Sequence, residues 1–204
     1  MSLSVRLLNA VCATALVIFI GCGVCLSYVA PNESVVRDCD GDLSVWRAPE
    51  DGGFKWDGLC RTATYEDDDY VGFREEVSVE GQVVTLRGHY VVHFPQDADD
   101  IASIHRIYHG DSRAALREIG SDVMTEILAV AQDPSWRHLS GGVIRRSAKE
   151  ALEYGVHRLS PTGDIWLSPE SKRALGAAIQ GRLDGHLWPP GVSVTVRLGF
   201  VTER

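Results

Sequence analysis

Residues 73–94 read FREEVSVEGQVVTLRGHYVVHF. Two runs, one ending Val77-Ser78-Val79 and one opening Val83-Val84-Thr85-Leu86-Arg87, alternate apolar and polar side chains on either side of Glu80-Gly81. A period of two marks a strand with one buried face, and Glu-Gly between two such runs is a tight-turn signal. Pro95 closes the second run, because proline donates no hydrogen bond to a sheet ladder. The centre of the chain is therefore predicted to be an antiparallel hairpin.

Downstream the period changes. Asp99-Asp100 can cap a short helix running through His109. After Asp111-Ser112, the residues Leu116, Ile119, Val123, Ile127 and Val130 recur at the three-or-four spacing of one helix face, ending near Asp133-Pro134. Gly120 sits inside this helix, where it costs up to ~1 kcal/mol relative to alanine. A second long helix is expected over Val143–Leu159, followed by a break at Ser160-Pro161-Thr162-Gly163. Ser168-Pro169-Glu170 reads as an N-cap with proline at the first helical position, opening a third helix to Leu187 that Pro189-Pro190-Gly191 stops. Val192–Phe200 alternates as a last strand.

Upstream, Glu33–Trp46 reads as a hairpin turning at Asp40-Gly41-Asp42. The Pro, Gly and Asp content of Ala48–Gly58 predicts a loop, and Leu59–Tyr65 a strand. Glu66-Asp67-Asp68-Asp69 is expected to be a solvated acidic loop, since it lacks the spaced oxygen ligands and central glycine of a calcium loop. The fold class is α+β: one domain over 31–204 with strands in 33–94, helices in 99–187 and a closing strand over 192–201. No internal repeat or low-complexity tract is present.

In front of this domain, after a short head of residues 1–6, stands Leu7–Ala30, LLNAVCATALVIFIGCGVCLSYVA, which holds no Asp, Glu, Lys, Arg or His. About 20 apolar residues at ~1.5 Å rise cover a hydrocarbon core, so the run is expected to be a single transmembrane helix ended by Pro31-Asn32. Arg6 on the short side favours a cytoplasmic N-terminus and an extracytoplasmic domain. The competing identity is a signal. Phe19-Ile20-Gly21-Cys22 loosely resembles a bacterial lipobox, which would make the chain an envelope lipoprotein acylated at Cys22 with an α+β ligand-binding domain.

The net charge is −8 over 204 residues. Arg6 is the only charge before the apolar run, so the domain behind that run is more acidic still. Such a domain repels phosphate backbones, which excludes nucleic acid as a partner class, and it offers no general attraction to anionic lipid. Cys12, Cys22 and Cys25 lie in the apolar run, leaving Cys39 and Cys60 as the pair available to the domain. Outside the cytoplasm they form a disulfide; inside it they remain thiols.

Chemistry-bearing motifs are scarce. His105 and His109 are four apart and can share a helix face, and His89 and His93 share a strand face, but neither pair has a third ligand, so no metal and no cofactor are expected. Ser140-Gly141-Gly142-Val143 lacks the lysine and spacing of a phosphate loop, and no G-x-S-x-G elbow occurs. The aromatic residues Trp46, Phe54, Trp56, Tyr65 and Tyr70 follow the apolar run closely. Trp and Tyr favour the headgroup layer, so the loop with Phe54 and Trp56 is a candidate for membrane contact, with core packing as the alternative.

The order of membrane segment, antiparallel strands, helices and closing strand resembles the SPFH (band 7) superfamily of stomatins, prohibitins and flotillins. The residues that carry the likeness are Val29–Val36 at the entry from membrane to first strand, Gly41 with the loop holding Pro49 and Gly52, the paired strands Glu75–Val92 around Glu80-Gly81, and Trp188–Val194 at the last strand. The resemblance implies a protein with no catalysis of its own. It implies a membrane-bound scaffold that oligomerises and organises lipid or partner membrane proteins, proteases among them.

Overall fold

The first hairpin forms where the sequence places it. In the computed structural model, which describes residues 26–58, 60–79, 82–133, 165–166 and 169–203, strand β2 (Glu33–Cys39) pairs antiparallel with β3 (Asp42–Arg47) from Ser34↔Arg47 to Cys39↔Asp42. Asp40 and Gly41 connect them, both with positive φ, 55° and 93°. Of the two-residue hairpin loops, the type I′ turn has positive φ at both positions, which favours glycine at the second. The Gly41 amide donates to Asp38 Oδ1.

On its other edge β2 pairs antiparallel with β5 (Arg61–Glu66), giving a three-stranded sheet in the order β3-β2-β5. Ser34, Val35, Val36, Ala63 and Tyr65 are its buried residues. A two-stranded ribbon precedes it, β1 (Leu26–Val29) against β4 (Gly53–Trp56). Helix α1 (Ala98–Ile107) completes this unit, packed on β2 and β3. Asp97 caps it by accepting from the amides of Asp99 and Asp100, and Ile101 and Ile104 are fully buried. Its end is set by His109 and Gly110, both with positive φ, which no α-helix accommodates.

The second unit is the sheet β6-β7-β9-β8 with two helices. Strand β6 (Asp68–Val79) runs antiparallel to β7 (Gln82–His93) in unbroken register, and β7 pairs with β9 (Ser193–Glu203). That second register shifts at Arg87/Gly88, where a side chain on Gly88 would lie 2.5 Å from the Arg197 carbonyl oxygen. Strand β8 (Ile165–Trp166) pairs with the end of β9. Helix α2 (Ser112–Gln132) buries Ala115, Ile119, Val123, Ile127 and Ala131, a repeat of four that makes one stripe. Helix α3 (Pro169–Asp184) buries Leu175, Ile179 and Leu183 in the same way, and packs on β9.

The units are discontinuous in sequence. One is Met1–Asp67 with Pro95–Ser112, the other Asp68–Phe94 with Arg113–Arg204.

Mixed α+β architecture with antiparallel sheets is thus the fold class, and four local expectations need correction. The apolar run does not stay helical to Ala30, because Leu26–Val29 is strand β1. Residues 48–58 are not loop throughout, because Gly53–Trp56 is the strand that pairs with β1. The acidic run is no solvated loop: Glu66 ends β5, Asp68 begins β6, Asp67 forms an ion pair with Arg47, and Asp68 bonds His93. Helix α3 stops at Asp184, three residues before the predicted Leu187. The expected helix over 143–159 lies outside the described residues.

Candidate functional site

The ribbon β1–β4 carries the most unusual surface of the described chain. Strand alternation sends Leu26, Tyr28, Phe54 and Trp56 to one face, and the register sets Leu26 opposite Trp56 and Tyr28 opposite Phe54. All four are exposed: Phe54 by 75%, Trp56 by 61%, Tyr28 by 55% and Leu26 by 40%. The Tyr28 and Phe54 rings meet at a centroid distance of 5.0 Å with a 59° tilt. Cross-strand aromatic pairs of this kind hold a short ribbon together.

The opposite face ties the ribbon down. Val29 is fully buried, and Lys55 forms an ion pair with Asp51. Ser27 Oγ donates to Asp57 Oδ2 at 2.6 Å, and the Asp57 carbonyl accepts from Arg37 Nε at 2.9 Å. Asp57 is only 4% exposed, so one buried residue links the end of β4 to both β1 and β2. Cys39 at the end of β2 is joined to Cys60 by a disulfide, with Cα atoms 4.8 Å apart. It crosses from the first hairpin to the segment between β4 and β5. The ribbon is therefore held at its base by a hydrogen-bonded carboxylate and a covalent bridge, while its aromatic face stays open.

Of Trp46, Phe54, Trp56, Tyr65 and Tyr70, only Phe54 and Trp56 lie on this face. Tyr65 is buried in β5, Trp46 is half-buried in β3, and Tyr70 is exposed on β6 in the other unit. Sequence reasoning missed Leu26 and Tyr28. Their alternation with Ser27 and Val29 was the available signal, masked by continuity with the apolar residues before them. Cys22 lies outside the described residues.

The histidines separate. His105 is buried in α1 at 3% exposure, whereas His109 lies beyond the helix end, so the two do not share a helix face. His105 Nδ1 lies 3.4 Å from the Tyr65 hydroxyl, its Nε2 lies 3.9 Å from Asp38 Oδ2, and Nε2 has no hydrogen-bond partner. Burial lowers the His105 pKa; Asp38 opposes that and Arg106 adds to it. Burial, with the negative charge of Asp111, pushes the Tyr65 hydroxyl up to about 12. His93 uses both ring nitrogens, Nδ1 with Asp68 at 2.6 Å and Nε2 with Thr195 at 3.0 Å. No group of three metal-ligating side chains exists among the described residues.

No described helix is long and apolar enough to cross a membrane; residues 7–25, most of the predicted span, lie outside the described residues. Compared with protein-family models and with curated proteins, the chain matches none.

Proposed function

We propose that this chain is a single-pass, membrane-anchored scaffold whose aromatic ribbon seats in the headgroup layer. One observation carries the reading: four exposed apolar side chains share one face of a ribbon that starts directly after a 19-residue stretch, 7–25, without charge. That length still suffices for a span, ~17 residues being the lower limit. Trp and Tyr at a membrane–water boundary bury apolar ring area while their polar edges stay wet, which their exposure to water alone does not explain. The Cys39–Cys60 disulfide supports a domain on the non-cytoplasmic side, as the single Arg6 does.

The mechanism is positional. The helix fixes the domain to the bilayer, the ribbon sets its height and tilt, and the outer faces meet neighbouring membrane proteins or further copies of the chain. The SPFH likeness supports this role through its strand-first entry from the membrane, its antiparallel hairpins and its closing strand.

The test is to place the full chain in nanodiscs with Trp56 as its only tryptophan, using lipids brominated near the headgroup or deep in the acyl chain. Stronger quenching by the shallow label is expected. No quenching by either label sinks the ribbon contact. A strictly monomeric particle after gentle extraction, with no co-purifying partner, sinks the scaffold role.

A further inference from the structure

The two long edges of the β6-β7-β9-β8 sheet are treated differently. Beyond its two-residue pairing with β8, the outer edge of β9 is occupied by side chains of α3. The Gln180 carboxamide donates from Nε2 to the Val194 carbonyl at 2.9 Å and accepts at Oε1 from the Val196 amide at 3.0 Å. Lys172 Nζ donates to the Gly199 carbonyl at 3.1 Å. Gln180 thus imitates one residue of a neighbouring strand, a device that denies the edge to other chains.

Strand β6 has nothing comparable. Among the described residues it pairs with β7 alone, over 12 positions, without a bulge or a proline. Among the described residues no hydrogen bond reaches its outer edge. Its side chains are four carboxylates, Asp68, Asp69, Glu75 and Glu76, against one cation, Arg74. Asp68 is bonded to His93, while Asp69, Glu75 and Glu76 enter no ion pair among the described residues. Between these charges Tyr70 is exposed, and Phe73 and Val77 turn into the core.

We infer that the β6 edge is a docking site for an extended segment of a partner protein, added as a further antiparallel strand and carrying Lys or Arg alternating with apolar residues. Backbone amides supply affinity in such strand addition, and side chains at alternate positions supply selectivity. The unpaired carboxylates set that selectivity. They repel a second copy of the same acidic edge and accept a cationic side chain opposite Glu76, which shares the solvent-facing side of β6 with Asp68 and the exposed Tyr70. This goes beyond the membrane-anchoring reading and does not depend on it, because β6 and the ribbon belong to different units.

The experiment uses the full chain in detergent and a fluorescent peptide of about ten residues alternating Lys and Val, the length of edge strand available. Saturable binding is expected. Methylating the peptide amides that face β6 should weaken it at least roughly tenfold, the loss expected when ladder bonds are removed. Exchanging Lys for Glu should abolish it. Glu76→Gln, at an exposed position, should weaken binding and flatten its salt dependence. Equal binding of the methylated peptide would mean charge attraction alone and overturns the proposal. So does a lack of saturable binding, or a self-paired chain from which the peptide cannot be made to compete.

Discussion

Ser27 Oγ and Asp57 Oδ2 lie 2.6 Å apart, and this bond closes the base of the aromatic ribbon. The other carboxylate oxygen, Oδ1, is buried without a partner. Asp57 therefore has little to lose before its burial becomes costly. Ser27→Ala is expected to destabilise the protein by about 1–3 kcal/mol, the cost of stranding a buried polar group. Chemical denaturation measures it. Ser27→Thr, which retains the hydroxyl, should recover most of the loss.

The Cys39–Cys60 bridge spans 21 residues. Closing a loop of that size removes unfolded-state entropy worth about 3 kcal/mol. Replacing both cysteines by serine should lower Tm by about 6–12 °C for a chain of this size. Thermal unfolding read by circular dichroism tests this, and reductant acting on the native protein should give a similar shift. An unchanged Tm in both cases excludes a structural role for the bridge.

Two buried groups in the first unit set the pH limits of its stability. The His105 pKa is lowered from 6.5, chiefly by burial, so the unfolded chain binds the proton more readily than the folded one. Its contribution is present above pH 6.5 and is lost as pH falls through the lower folded value. The Tyr65 pKa is raised from 10.0 to about 12, which gives the opposite sign: stability is intact below pH 10.0 and declines as pH rises toward 12. His105→Phe should flatten the acid branch and Tyr65→Phe the alkaline branch. Denaturation midpoints measured across pH read both.

Gly120 faces Tyr90. A Cβ at position 120 would lie 2.6 Å from the Tyr90 hydroxyl. Gly120→Ala gains up to ~1 kcal/mol in helix propensity but should lose about 1–3 kcal/mol to overpacking. A net loss is expected. In a Tyr90→Phe background the same change should become neutral or stabilising, because the clashing oxygen is gone. A double-mutant cycle should then give a coupling above about 0.5 kcal/mol, and additivity would refute the contact.

That glycine shows where the sequence was readable and where it was not. Its cost to the helix followed from composition; its reason, a tyrosine on β7, is a tertiary contact with no local signature. The hairpin turn at Asp40-Gly41, the paired runs within Asp68–Val79 and Gln82–His93, and the stripe Ile119, Val123, Ile127 were legible because period and turn chemistry are local properties. Residues 26–29 and 53–56 were misread for one shared reason. Each is a four-residue strand whose partner lies far along the chain, so pairing decides its conformation. Phe54 and Trp56 were singled out by residue type alone. Leu26 and Tyr28 joined them only when the register was known. The Asp67 and Asp68 pairings lay hidden because a run of carboxylates carries no record of the arginine and histidine opposite.

The discontinuous make-up of the two units has a consequence for how the protein is made. Ile101 and Ile104, which complete the first unit's core, emerge from the ribosome only after the whole β6–β7 hairpin of the second. The ribbon and the β3-β2-β5 strands are synthesised early, yet they stay without α1 until that hairpin has been made. Every chain thus passes through a period in which the residues of the aromatic face have been made and the helix that completes the core behind them has not.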